Sequence, residues 1–152
     1  MKLATVCYIK KDGKTLMIHR NTRKGDIHEG KWVGLGGKFE PGESPEECII
    51  REVKEETGLE IENPKLSGLL MSLNFKGKDW MIFIFSACDY TGELSTCAEG
   101  TLSWIPDEEL LDLNLWEDNR RFLPLMDEDR FFSMKTIYTD TDGEEDITIT
   151  VH

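Results

Sequence analysis

Apolar positions along the chain change period several times, and each change marks an element. Residues 2–10 and 14–19 are apolar-rich runs separated by Lys11-Asp12-Gly13, a hairpin signal. The polar stretch RNTRKGDIHEGK then leads into WVGLGGKFEPGES, whose glycines and proline predict an irregular but specific backbone. A helical period follows, with Ser44 as N-cap, Pro45 in the first helical position, Glu47 completing an S-x-x-E capping box and Gly58 as the stop. Residues 65–75 and 79–89 read as two longer strands joined around Lys76-Gly77-Lys78. The run WMIFIFSACDY is apolar too continuously for a two-faced surface strand and is expected to be largely buried. LSWIP predicts a short strand, DEELLDL and WEDNRRFLPLMDE helical pieces, and RFFSMKTIYT with DITITV a closing hairpin around DTDGEED. A principal helix flanked by strands is α+β, an α/β/α sandwich with a mixed central sheet, rather than a regular βαβ repeat. No repeat, low-complexity tract or linker interrupts residues 1–152, so one domain is expected.

The helix contains an electrostatic oddity. In REVKEETG, Glu52 and Glu56 are four residues apart with Glu55 beside them, a spacing at which like charges destabilise a helix by a few tenths of a kcal/mol per pair. At about 100° per residue, all three share an arc of about 100°, and Ile49, Ile50 and Val53 form an adjoining apolar stripe. The stripe can anchor the helix on a sheet while the glutamates line an open edge. Arg51 can pair with Glu47 and Glu55, one turn to either side. Clustered carboxylates on a rigid helix suit Mg²⁺ or Mn²⁺, hard cations that prefer oxygen ligands and retain waters.

Composition narrows the partners. Hydrophobic residues make up 39% and charged residues 32%, an ordinary soluble balance, and no apolar run approaches membrane-spanning length. The start of the chain turns charged by Lys10 and reads as a strand rather than a signal peptide. Cys7, Cys48, Cys88 and Cys97 form no CxxC pair, so free thiols in a reducing cytoplasm are expected and zinc is not. A formal net charge of −12 repels long nucleic acid and anionic membranes. A small phosphate-bearing substrate would need metal ions or local basic residues. His19, His28 and His152 form no cluster in the sequence and suggest no histidine chemistry.

From Gly37 to Leu59 the chain resembles the Nudix box at every fixed position: Gly37, Glu43, Arg51, Glu52, Val53, Glu55, Glu56, Gly58 and Leu59. Seven exact identities at everyday frequencies of about 7% arise by chance on the order of once in 10⁸ windows. The resemblance implies a hydrolase of nucleoside diphosphate derivatives. In the family Glu52, Glu55 and Glu56 hold the metal with the carbonyl of Gly36, and Glu99 stands where MutT-type members place a further glutamate. The general base is Glu52 or Glu56, and Arg51 restrains the cluster.

The flanks point to a substrate. GKWVGLGGK and LWEDNRRFLPLM resemble segments of MutT-type enzymes that convert oxidised purine nucleoside triphosphates, such as 8-oxo-dGTP, to monophosphate and pyrophosphate. Carried over, Trp116 stacks on the base while Asp118 and Asn119 read its edge. Asn119 replaces a second aspartate and Val33 replaces a base-reading asparagine, which alters the edge pattern. Arg23, Lys24 and Lys38 are expected phosphate contacts. The expected protein is a monomer or homodimer acting on a small nucleotide. Hydrolysis of another diphosphate, such as a nucleotide sugar or dinucleotide, and a non-catalytic nucleotide-sensing or protein-binding module are the alternatives.

Overall fold

The computed structural model describes residues 1–141 and 144–152; of residues 140, 141 and 144–147 only the backbone is described. The strands are β1 (Lys2–Lys11), β2 (Lys14–His19), β3 (Trp32–Val33), β4 (Leu35–Lys38), β5 (Glu60–Glu62), β6 (Lys65–Phe75), β7 (Lys78–Ala87), β8 (Asp89–Thr91), β9 (Thr101–Pro106), β10 (Phe132–Thr141) and β11 (Glu144–Val151). The helices are α1 (Pro45–Thr57) and α2 (Glu117–Met126), with a short 3₁₀ turn at Asp107–Asp112. Among the described residues, nine strands form one sheet in the order β11-β10-β6-β7-β1-β2-β3, with β4 also on β1 and β9 also on β2. The β1–β7 and β6–β10 pairs are parallel and the others antiparallel, so the sheet is mixed. A two-stranded ribbon, β5 with β8, stands apart. The tip of the closing hairpin, Asp142-Gly143, lies outside the described residues.

Alternation along the central strands divides the core into two layers. Cys7, Ile9, Leu16, Ile18 and Phe85 face α1 and meet Ile49 and Val53. Their neighbours Tyr8, Met17 and Ile84 face the opposite side and meet Phe122 and Leu123 of α2, with Leu110 and Leu115. Both sheet faces are therefore covered, the expected α/β/α sandwich. In β7 Ile84, Phe85 and Ala87 are buried while Trp80 to Phe83 remain half-buried, and Trp80 and Ile82 line the cavity described below.

Two expectations are corrected. The glycine-rich run is irregular only after Lys38, with a turn at Pro41-Gly42; before it Leu35–Lys38 pairs in register with β1, Gly36 opposite Val6 and Gly37 opposite Thr5. Its glycines answer a lack of space, since a Cβ on Gly34 would lie 2.7 Å from Val6 Cγ2 and one on Gly36 would lie 2.0 Å from the Thr5 carbonyl oxygen. Ile50 does not anchor α1. It is 38% exposed while Cys48, Ile49 and Val53 are buried, because its place on the helical wheel lies beyond the arc that the sheet covers. The caps are as expected: Glu47 N–H donates to Ser44 Oγ at 3.1 Å, Ser44 N–H donates to Glu47 Oε1 at 3.2 Å, and Gly58 closes the helix at φ 80°.

Gly68 tests this packing. A Cβ there would lie 2.5 Å from Cζ of the buried Phe132 ring. Gly68→Ala is expected to lower urea-unfolding stability by about 1–3 kcal/mol, as overpacking a filled core does. An unchanged midpoint would show that this contact is slack.

Candidate active site

A cavity of about 550 Å³ runs over the sheet face from the C-terminal end of α1 to the N-terminal end of α2. One end is acidic, with Glu52, Glu56 and Glu99; the other is aromatic and polar, with Phe75, Trp116, Asp118, Asn119 and Tyr138. Val33, Gly36 and Lys38 line it between or beside these ends.

Strand β4 brings α1 to the cavity. Gly37 lies so close to Glu52 that an added Cβ would sit 2.7 Å from the carboxyl carbon. Gly36 N–H donates to Glu56 Oε1 at 2.6 Å, placing that carboxyl against the backbone. Glu56 is only 6% exposed. Burial raises its carboxyl pKa from 4.5 to about 9, and the nearby Glu99 raises it too, against the Gly36 N–H. Neighbouring carboxyls disfavour a second negative charge, so a proton or a cation on one of them is favoured. Burial also pushes Glu52 up, opposed by Arg51.

Of the two partners expected for Arg51, the structure keeps Glu55 and replaces Glu47 with Glu43 and Glu52. Its guanidinium donates to both oxygens of Glu43, at 2.7 and 2.9 Å, and to Glu52 Oε1 at 2.9 Å. Glu55 is a weaker partner at 3.3 Å. Glu47 is absent from this set because its carboxylate is committed to the capping box. The paired guanidinium holds the Glu43 carboxyl well down, at about 2. The like-charge penalty is therefore offset by one arginine that joins the loop before α1 to the middle of the helix.

Other residues differ in placement. Glu55 is 58% exposed and stands outside the cavity lining. Arg23 and Lys24 are exposed on the loop after β2 and do not line the cavity; Arg20, at the root of that loop, does. Arg20 grips Asp26 through two hydrogen bonds, at 2.8 and 3.1 Å, and reaches Glu99 Oε2 at 3.3 Å. At the far end Asp118 is buried, which raises its pKa; Tyr138 O–H donates to its Oδ2 at 3.1 Å, and Asn119 N–H to its Oδ1 at 2.7 Å. Trp116 Nε1–H donates to His28 Nδ1 at 2.9 Å, and the Lys31 ammonium lies 4.8 Å from the Trp116 ring centre. Arg20 and His28 escaped the sequence reading because a loop carries no periodic signal, and Tyr138 because its strand period speaks of packing alone.

The donor set fits a divalent cation. Glu52, Glu56 and Glu99 bring crowded carboxyls to one end of the cavity, where positive charge would relieve their repulsion and the Gly36 carbonyl could add a hard oxygen. Among the described residues no three His, Cys, Asp or Glu side chains already converge on one point, so a cation there would draw these carboxyls together or complete its shell with water.

Comparison with known proteins gives this geometry a lineage. The sequence model of the NUDIX domain matches residues 1–126, most of the chain. The chain belongs to the Nudix hydrolase family. It is 34% identical over 131 residues to the Nudix hydrolase YvcI of Bacillus subtilis, covering 83% of this chain and 79% of that one. It is 30% identical over 127 residues to the oxidised purine nucleoside triphosphate hydrolase of Danio rerio, covering 82% of this chain and 79% of that one. The MutT mutator protein of Bacillus halodurans superposes with a TM-score of 0.84 at 31% identity, covering 98% and 97% of the two chains. This is a MutT-type Nudix hydrolase, an enzyme of phosphoric anhydrides in small nucleotides. Among the described residues no helix is long and apolar enough to cross a membrane.

The raised Glu56 pKa predicts a pH signature in chelator. From pH 4.5 to about 9 the unfolded chain ionises this group while the folded one keeps its proton, so this contribution to stability falls as pH rises through that window. Glu56→Gln removes the titration. Its advantage over wild type in urea unfolding is expected to grow by at least about 1 kcal/mol between pH 5 and pH 8. An advantage independent of pH would refute the burial argument.

Proposed function

We propose that this Nudix hydrolase is a Mg²⁺-dependent pyrophosphohydrolase, with Mn²⁺ as a substitute. Its substrates are oxidised purine (deoxy)nucleoside triphosphates such as 8-oxo-dGTP, cleaved in the cytoplasm to monophosphate and pyrophosphate. One observation carries the reading: a single cavity joins the acidic end to the Trp116, Asp118 and Asn119 end. A nucleotide lying along it has its base at α2 and its phosphates at α1.

Glu52, Glu56 and Glu99, with the Gly36 carbonyl, would hold the cation, and Glu55 would join from the helix surface. When bound, the cation would supply charge neutralisation at the phosphoryl oxygens and a lowered pKa for an attacking water. Glu56 or Glu52 takes the proton of that water. Arg51 fixes Glu52 by their hydrogen bond and leaves substrate untouched. Lys38 and Arg20, which line the cavity, face the negative phosphates. At the other end Trp116 stacks on the purine and Asp118 accepts or shares a proton at its edge. Val33, an apolar wall, offers the base no hydrogen bond.

Two measurements test this. Glu56→Gln is expected to lower metal-dependent kcat at least about a hundredfold while leaving 8-oxo-dGMP binding intact; full turnover would sink the mechanism. For wild type, kcat/KM with Mg²⁺ should be at least about tenfold higher for 8-oxo-dGTP than for dGTP or ATP. A ratio near one would remove the oxidised-purine assignment and leave the hydrolase in place.

A further inference from the structure

The ring of Trp116 is not held by the helix that follows it. Trp116 is the N-cap of α2 and makes no side-chain cap hydrogen bond. Its indole instead meets His28 edge to face, with centroids 5.7 Å apart and planes at 82°, and meets Phe75 likewise at 5.1 Å and 89°. The directional contact on the ring is the bond from Nε1–H to His28 Nδ1, 2.9 Å long. An indole N–H can only donate, so His28 Nδ1 is the unprotonated acceptor and the imidazole proton sits on Nε2.

His28 is itself fixed in the loop between β2 and β3. Its N–H donates to Asp26 Oδ1 at 3.3 Å, its carbonyl accepts from Lys31 N–H at 2.8 Å, and its ring lies nearly parallel to Phe75, 6.3 Å away. Asp26 is gripped twice by Arg20, which also reaches Glu99. A polar strut thus runs Glu99–Arg20–Asp26–His28–Trp116 along the cavity. The charged groups around the imidazole are Arg20, Asp26 and Glu99, with Lys31 and Lys76 over the indole. Burial, then Arg20, disfavours a proton on His28, in keeping with its role as acceptor.

We propose that His28 is a positioning residue that sets the Trp116 ring for the purine, so that substrate affinity depends on the acceptor at Nδ1. This rests on the reading of Trp116 as the base platform. A histidine that merely filled space in the loop would affect stability and leave base binding alone. The hydrogen bond to Trp116 makes the two roles separable.

The test compares His28→Leu, His28→Asn, Trp116→Phe and Trp116→Ala. The readouts are KM and kcat for 8-oxo-dGTP, the Kd of 8-oxo-dGMP and the melting temperature. His28→Leu is expected to raise KM and Kd about tenfold, the scale of a lost base stack, with kcat within about twofold of wild type. In asparagine Oδ1 occupies the place of Nδ1, two bonds from Cβ, so His28→Asn should restore affinity to within about threefold. Trp116→Phe keeps a ring and removes the donor. Adding His28→Leu to it should weaken binding no further, the sign of one shared interaction. Unchanged KM and Kd in His28→Leu, or no rescue by asparagine in a folded variant, overturns the proposal provided that Trp116→Ala weakens binding. If Trp116→Ala also leaves binding unchanged, the base-platform reading fails, and this inference with it. Should His28→Leu not fold, Trp116→Phe decides alone: wild-type affinity overturns the proposal and a rise of about tenfold supports it.

Discussion

The site depends on backbone that carries no side chains. At Gly36 and Gly37 there is no room for a Cβ: β1 crowds one residue and the carboxyl of Glu52 the other. Only because β4 is bare there can α1 lie close enough for the Gly36 N–H to hold Glu56. The acidic end of the cavity is thus made by steric exclusion at a strand as much as by the acids on the helix. The glycines have a second effect. They line the cavity, so that its wall there is backbone rather than side chain.

Once the acids are in place their repulsion must be managed. Arg51 does this from within the helix, spanning Glu43 before it and Glu52 beside it. Glu47, which seemed available from spacing alone, is spoken for by the N-cap. Glu56 is handled differently, through burial, a backbone donor and the nearby Glu99. Carboxylates in and just before α1 thus meet distinct environments, which separates a group held ionised (Glu43) from one that keeps its proton without metal (Glu56).

The sequence showed clearly whatever is governed locally. The caps of α1, the hairpin at Asp12-Gly13, the strands β6 and β7 and the short β9 follow from turn chemistry and period, and so does the mixed architecture. Tertiary contacts decided the rest. Ile50 has the right residue type on the wrong side of an arc whose width only the sheet defines. The WVGLGGK run looked irregular because glycine signals freedom, whereas here it signals proximity. The site was legible where spacing is fixed, in the Nudix box and the tryptophan-acid segment, which reach the two ends of one cavity. It was illegible at Arg20 and His28, whose partners lie 79 and 88 residues away, and at Arg23 and Lys24, where basic character did not foretell orientation.

The β5–β8 ribbon has a consequence for how this chain can vary. Ser95 N–H donates to the Thr57 carbonyl at 2.8 Å, and a Cβ on Gly58 would sit 3.0 Å from the Glu93 carbonyl oxygen, so the segment leaving β8 is tied to the end of α1. A few residues later Glu99 is tied to Arg20. The stretch between these two anchors has little slack. Inserting or deleting a residue there would move Glu99 relative to Glu56. Length variation among descendants of this sequence should therefore avoid residues 93–99.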